Sequence, residues 1–223
     1  MKWNLKREIF PFAIIALFVI LSLYFYSSLP AQVPSHFDFH GKVDQYSSKG
    51  TFIALYLGMS IGLYLLLTFI PMIDPFWKKI QSKYHIFLIF RDMALVFFFI
   101  MYIIIIYAAR HGKLEPYLLG IALGLLFIFM GNYLPKLPRN FFFGIRNPWT
   151  LASEEVWRRT HILGGWLFVI SGILAVLLSV FKVNPAIALG ATFGPAVLYC
   201  GLIYPLWLYK KLQRDERSQA PQL

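Results

Sequence analysis

The sequence predicts an all-α membrane protein: a polytopic bundle of about six transmembrane helices with both ends on the cytoplasmic side. Three observations carry this reading: a composition too apolar for one soluble core, six long apolar runs, and an uneven share of basic residues between those runs. Of the 223 residues, 59% are hydrophobic and only 14% are charged, with a mean hydropathy of +0.64. Soluble domains are about 45–50% apolar and about 25% charged. Lipid is the solvent that accommodates the excess. The 21 Lys and Arg against 10 Asp and Glu leave a formal charge of +11. A basic balance of this kind fits either nucleic acid or a membrane. Here the charges lie between apolar runs, which favours the membrane and gives no reason to expect direct nucleic-acid binding. The single cysteine, Cys200, sits inside a run, so an internal disulfide and a multi-cysteine metal site are both excluded.

A helix needs about 20 apolar residues to cross the hydrocarbon of a bilayer. The runs that qualify are Ile9–Leu29, Phe52–Ile73, Ile86–Ala109, Tyr117–Leu134, Leu163–Phe181 and Ala186–Tyr209. The first follows Lys2, Lys6 and Arg7, the charged start of a signal peptide. It is too long for a signal-peptide core and has no small-x-small cleavage site after it, so it reads as a retained helix. Orientation follows from the loops, because Lys and Arg resist translocation. With the N-terminus inside, only Lys42, Lys49, Arg110, Lys113 and Lys182 fall on the outer face, and the other sixteen of the 21 fall inside. The same charges account for the high pI, since they meet anionic lipid heads.

Within the runs, Gly120 with Gly124 and Gly190 with Gly194 have the G-x-x-x-G spacing that lets helices approach closely. Pro195 and Pro205 should kink the sixth helix, and Pro71 should end the second. A bent sixth helix lining a cavity is the alternative to simple packing. Arg91 and Asp92 lie early in the third span, near enough the interface to snorkel. Neighbours on a helix point in different directions, so no pair between them is expected. Asn132 is placed to cap the fourth span or to bond a neighbouring helix. The middle third of every span is uncharged, which argues against an ionisable relay at the midplane and leaves a neutral pore open.

Two loops are long and patterned, and loops carry function more often than packed spans do. The outer one, residues 30–50, holds Pro30, Pro34, His36, Phe37, Asp38, Phe39, His40, Gly41, Asp44, Tyr46 and Lys49. If 34–40 is extended, His36, Asp38 and His40 share one side and the two phenylalanines the other. With Asp44 nearby, His-x-Asp-x-His has ligand chemistry suited to zinc, but no fourth ligand is evident, and neither a metal nor a cofactor is expected. The alternative is a cap or receptor surface whose phenylalanines dip into the interface.

The inner loop, residues 135–161, opens with Pro135 and Pro138, followed by Phe141–Phe143, Gly144 and the pair Asn147–Pro148. Thr150 or Ser153 can cap a short helix with Glu154 and Glu155 in its first turn. On that helix Trp157 lies near Ser153 and His161, while Arg158 and Arg159 stand four residues after the acids. Its aromatic and basic residues, Trp149 and Arg146 included, suit a segment lying in the headgroup layer. A docking platform for a cytoplasmic partner is the sharper reading.

Both loops carry a resemblance. The stretch PSHFDFHGKVDQYSSKG, through Pro34, His36, Phe37, Gly41, Asp44 and Lys49, resembles the signature of a bacterial membrane domain of unknown function. The stretch GNYLPKLPRNFFFGIRNPWTLASEEVWRRTHILGG is similar to the hallmark of the SdpI family. It carries Gly131, Asn132, Pro135, Lys136, Asn140, Phe143, Gly144, Arg146, Pro148, Trp149, Thr150, Ser153, Glu154, Glu155, Trp157, Thr160, His161 and Gly164. The resemblance implies a multi-pass protein of the bacterial cell membrane whose namesake gives immunity to a secreted, membrane-damaging peptide toxin. It also implies a signalling role in which the occupied protein holds a transcriptional repressor at the membrane.

On this reading the chain is an N-terminal membrane unit, 1–109, with outer loop 30–50, followed by an SdpI-like unit, 110–223, with inner loop 135–161. The six motif residues of the outer loop would bind toxin. Those of the inner loop would bind a partner or hold the fold. A small-solute transporter or channel is the alternative function. An intramembrane enzyme ranks last, because no nucleophile elbow, zinc-protease motif or midplane carboxylate pair is present and only His36 with Asp44, or His161 with Glu154, offers an acid–base pair.

Overall fold

The computed structural model describes residues 5–37 and 43–219. Its elements are α1 (Leu5–Phe25), the strands β1 (Gln32–Phe37) and β2 (Val43–Ser48), α2 (Lys49–Phe69), the short α3 (Trp77–Ile80), α4 (Tyr84–His111), α5 (Pro116–Tyr133), the short α6 (Pro148–Ala152), α7 (Glu154–Val180), α8 (Pro185–Leu198) and α9 (Tyr204–Gln219). Six helical stretches are long and apolar enough to cross a membrane, the last made of α8 and α9 together. The chain is thus an all-α polytopic bundle, and six crossings return it to the side where it began. One end of the bundle, the terminal end, carries the start of α1, the end of α9 and the 135–161 segment. The other, the hairpin end, carries β1 and β2.

α5 and α7 pack closest, and glycine is the reason. A Cβ on Gly131 would come within 2.6 Å of the Gly165 carbonyl, and one on Gly124 within 2.8 Å of the Gly172 carbonyl. Gly124–Gly131 and Gly165–Gly172 are both seven residues apart, which is two helical turns, so the small residues of each helix meet in register. Gly120 completes the row against Ser179. The expected packing role holds for Gly120 and Gly124. It does not hold for Gly190 and Gly194, which face open space within the described residues because their stripe points away from the bundle.

Proline shapes the sixth span. α8 and α9 are joined by a π-helical turn, Tyr199–Ile203. Pro205 has no N–H, so the Gly201 carbonyl four residues earlier loses its helical donor and the turn widens. At the second span, α2 gives way to a 3-10 turn, Ile70–Ile73, that contains Pro71. The fifth span departs from expectation at its start. It begins at Glu154 rather than Leu163, because Ser153 caps α7 by accepting from Val156 N at 3.4 Å and the helix then runs unbroken into the membrane-length segment.

Two aromatic-rich clusters hold the ends. Phe18, Val33, Phe52 and Tyr102 pack at the hairpin end. Tyr84, Phe87, Leu137 and Trp157 pack at the terminal end. The outward faces of α1 and α2 keep large apolar side chains such as Ile20, Leu23, Leu55 and Leu66 exposed, as lipid contact requires.

Candidate functional site

The sequence singles out two loops, and they fold on different principles. At the hairpin end, β1 and β2 pair antiparallel with Val33 opposite Ser47, Pro34 opposite Tyr46 and Phe37 opposite Val43. A bulge between Pro34 and Phe37 shifts the register, and His36 comes opposite Gln45. That brings His36 and Asp44 together: Nδ1 of the imidazole lies 2.7 Å from Oδ1 of the carboxylate, with the side chains 61% and 45% exposed. Pro34 is buried beside Val33, in a position where a missing N–H costs the small sheet little.

Lys49 turns back toward α1. Its Nζ donates to the Tyr26 carbonyl at 3.0 Å and sits 4.5 Å from the centre of the Tyr26 ring. Ser48 caps α2 by accepting from Thr51 N at 3.1 Å. Of the six outer motif residues, Pro34 and Lys49 therefore build the hairpin's base, while His36 and Asp44 present a polar pair to solvent. Gly41 lies outside the described residues, as do Asp38 and His40 of the zinc constellation. No group of three His, Cys, Asp or Glu suited to a metal occurs among the described residues.

At the terminal end, the 135–161 segment is a folded loop that includes the short helix α6 and the start of α7. It packs against the bundle, and Asn140, Asn147, Thr150 and His161 bond its backbone from within. Asn140 is fully buried; its Oδ1 accepts from Phe142 N and Phe143 N at 2.9 and 2.7 Å, and its Nδ2 donates to the Pro138 carbonyl at 2.9 Å. The Phe143 ring it positions packs edge-on against Phe87, with centroids 5.2 Å apart. Asn147 caps α6 by accepting from Trp149 N and Thr150 N, while Thr150 Oγ1 accepts from Asn147 N at 3.0 Å and donates to the Ile145 carbonyl at 3.0 Å. Pro148 fills the first position of that helix, where its lost N–H is harmless.

The Nδ2 of Asn147 donates to the Gly201 carbonyl at 2.9 Å. This is the acceptor that Pro205 leaves without a helical donor, so one side chain ties the loop to the π-helical turn of the sixth span. His161 is likewise fully buried. Its Nε2 accepts from Ile145 N at 3.1 Å, which places the ring proton on Nδ1, donating to the Trp157 carbonyl at 2.8 Å. Trp157 stacks on it at 4.0 Å and donates from its indole nitrogen to the Leu137 carbonyl at 2.9 Å. Gly144, at φ +91°, lies directly over His161, where any Cβ would collide with the imidazole.

The remaining inner residues sit at the margin. Pro135 packs against Gly165, where a Cβ would come within 2.9 Å of its ring. Asn132 neither caps its helix nor crosses to another; its Nδ2 donates to the Ile128 carbonyl of the same helix, because its side chain points outward. Arg146 is exposed and donates to the Phe141 carbonyl at 2.8 Å. Glu154 does not pair with Arg158; Arg139 lies 3.7 Å and Lys79 4.0 Å from its carboxylate. Glu155 takes both arginines, Arg158 at 2.8 Å and Arg159 beside it.

Sequence reasoning missed the network beneath this loop. Arg91 does not snorkel. It is fully buried and donates from Nη1 to Glu8 at 2.7 Å and to Thr68 Oγ1 at 3.2 Å, and from Nε to Asp92 at 2.9 Å. The expectation that Arg91 and Asp92 would not pair fails because the long guanidinium arm folds back over its neighbour. Tyr64 and Tyr84 complete the cluster: the first donates to Glu8, the second to the Thr68 carbonyl. Asp74 links spans to loop, accepting from Phe76 N and from Phe141 N, each at 2.7 Å. The available signal was the presence of single acids, Glu8 and Asp74, at the ends of apolar runs whose partners must come from elsewhere.

Against this geometry the comparisons are specific. Residues 136–207 match the SdpI/YfhL protein family, and residues 13–59 match a domain of unknown function (DUF1648). Along 208 residues, 93% of this chain and 98% of the relative, the chain is 23% identical to "Immunity protein SdpI" of Bacillus subtilis (strain 168). No solved structure matches. The first match contains the terminal-end loop from Lys136 onward and the second contains the hairpin.

Proposed function

Because the chain belongs to the SdpI/YfhL family of multi-pass bacterial membrane proteins, we propose that it is an immunity protein that protects its host from a secreted, membrane-active peptide toxin. The observation that carries this reading is the likeness to an immunity protein along 93% of the chain, hairpin and terminal loop included. The uneven basic charge supports placing both termini in the cytoplasm, which turns the hairpin outward. The exposed pair His36 and Asp44 then forms the polar face offered to the toxin, carried on a base set by Pro34 and Lys49. The buried Asn140, Thr150, Trp157 and His161 hold the fold, so their motif role is structural.

Any cytoplasmic partner, such as a transcriptional repressor, meets the exposed remainder of that end: Arg146, Glu154, Arg158 and Arg159. We divide the chain functionally at 109/110, with recognition in the first unit and the SdpI-like scaffold in the second. The test is deletion of the gene in its host followed by challenge with secreted membrane-active peptides. Increased killing by at least one of them is expected, with rescue by the intact chain. Unchanged sensitivity to all of them overturns the proposal.

A further inference from the structure

Where the sixth span leaves the membrane, the two faces of α9 are built differently. Pro205 and Leu208 turn inward and are buried. Trp207, Lys210, Lys211, Arg214 and Asp215 follow the helical repeat on the outward face and line a concavity of about 320 Å³. The depth of this face in the bilayer follows from the length of the span. α8 begins at Pro185, and the roughly 20 residues that cross about 30 Å of hydrocarbon run out near Pro205. Trp207 then lies at the membrane–water boundary and the three basic residues lie among the headgroups. Trp207 is 54% exposed and stands beside Tyr204, with ring centroids 6.0 Å apart, as aromatic residues at that boundary do.

The charge on this face is not offset by its surroundings. Lys211 Nζ sits 5.4 Å from the centre of the Trp207 ring, which holds it over the indole. No ion pair of Lys210, Lys211, Arg214 or Asp215 occurs among the described residues. Of the elements packed against α9, α6 and the π-helical turn hold no charged residue. On α7, Glu154 faces Arg139 and Lys79, and Glu155 faces Arg158 and Arg159, so these acids are already met. α9 itself carries Lys210, Lys211, Arg214 and Arg217 against Asp215 and Glu216, two more bases than acids.

We propose that this face of α9 is a binding site for an anionic phospholipid, its phosphate held by Lys210, Lys211 and Arg214 and its first carbons against the Trp207 ring. An arginine fork and two lysine point charges suit a phosphodiester. The aromatic floor lies at the edge of the hydrocarbon and the basic rim among the headgroups, so one amphiphile meets both, which a nucleic acid or an acidic peptide in solution does not. Asp215 stands at the rim and opposes a negative head, so it weakens the site rather than building it. The site takes nothing from the hairpin and stands or falls separately from the immunity reading.

The experiment uses the full chain, purified in detergent, equilibrated with mixed micelles of equimolar phosphatidylglycerol and phosphatidylcholine, then washed and assayed for retained lipid. About tenfold enrichment of phosphatidylglycerol is expected from two unbalanced basic charges near an anionic surface. Lys210→Gln, Lys211→Gln and Arg214→Gln combined should abolish it, and Asp215→Asn alone should raise it. The control, Lys78→Gln, Lys79→Gln and Lys83→Gln combined, removes as many exposed charges from the same end of the bundle and should leave the enrichment in place. Equal retention of the two lipids by the wild type overturns the proposal, as does an equal loss in the control, which would mean diffuse attraction with no site. In native membranes, Gln213→Cys carrying a benzophenone should crosslink to lipid. A protein adduct there overturns the proposal, because a partner chain would then cover this face.

Discussion

The two ends of this bundle each carry a long motif-bearing loop, yet the loops spend their polar residues in different ways. At the terminal end four polar side chains are bonded to backbone: Asn140, Asn147, Thr150 and His161 together bond the turns of the loop, the start of α7 and the π-helical turn of the sixth span. At the hairpin end the paired side chains, His36 and Asp44, bond each other in solvent. The contrast teaches that motif membership alone does not separate recognition from architecture. Burial with satisfied backbone partners marks architecture, and an exposed pair held on a stiff base marks a surface free to recognise.

The comparison breaks most visibly at the cluster under the terminal loop. Arg91→Ala leaves Glu8 and Asp92 without their cation in a buried site, and removing one partner of such a pair costs about 3–5 kcal/mol. Thermal unfolding in detergent should show the largest loss for this variant. A melt equal to the wild type would mean the cluster is solvated and the terminal end is not braced as described. Asp74→Ala comes next. It leaves Phe76 N and Phe141 N without their carboxylate, and hydrogen bonds to charged groups contribute about 1.5–3 kcal/mol. Limited proteolysis between residues 135 and 147 should accelerate in that variant, because Phe141 is released from the end of the second span.

Gly144→Ala tests the same loop through geometry. It forces a side chain to φ +91° and onto the His161 ring, a strain of order 1–3 kcal/mol. The expected readout is a lower unfolding midpoint than wild type. A midpoint that does not move would show that the turn at Gly144 relaxes away from His161.

How far the sequence predicted this architecture depends on the range of each interaction. The six spans follow from apolar runs and the close approach of α5 and α7 from Gly120 and Gly124, since both are local patterns read along one helix. The cap on α7 was equally local: of the two candidates, Thr150 and Ser153, it is Ser153 that caps the helix with Glu154 and Glu155 in its first turn. The Glu8–Arg91 pair was not legible, because its members are 83 residues apart and nothing in the periodicity of either helix points to the other. Burial of the terminal loop was also hidden. Aromatic and basic residues in alternation suit a surface helix as well as a folded cap, and the choice was made by Asp74, Leu137 and Gly201, whose backbone and carboxylate groups supply the missing partners. At the hairpin, the sequence placed Asp44 near His36, and the strand pairing brings the two into contact.

Asp44→Asn has the smallest expected effect on stability and the most bearing on function. The pair it weakens is exposed, and exposed ion pairs contribute about 0–1 kcal/mol. The hairpin keeps its strand pairing, its Ser48 cap and the Lys49 tie to Tyr26, none of which involves the Asp44 carboxylate. Unfolding of the variant should therefore superimpose on the wild type within error, while protection in a toxin-challenge assay falls. The terminal-end variants should show the reverse ratio: a large loss of stability, with protection falling only as folded protein is lost. If Asp44→Asn protects as well as wild type at equal abundance, the exposed pair is not the recognition surface. The functional weight then shifts to Arg146 and the exposed arginines of α7 at the opposite end.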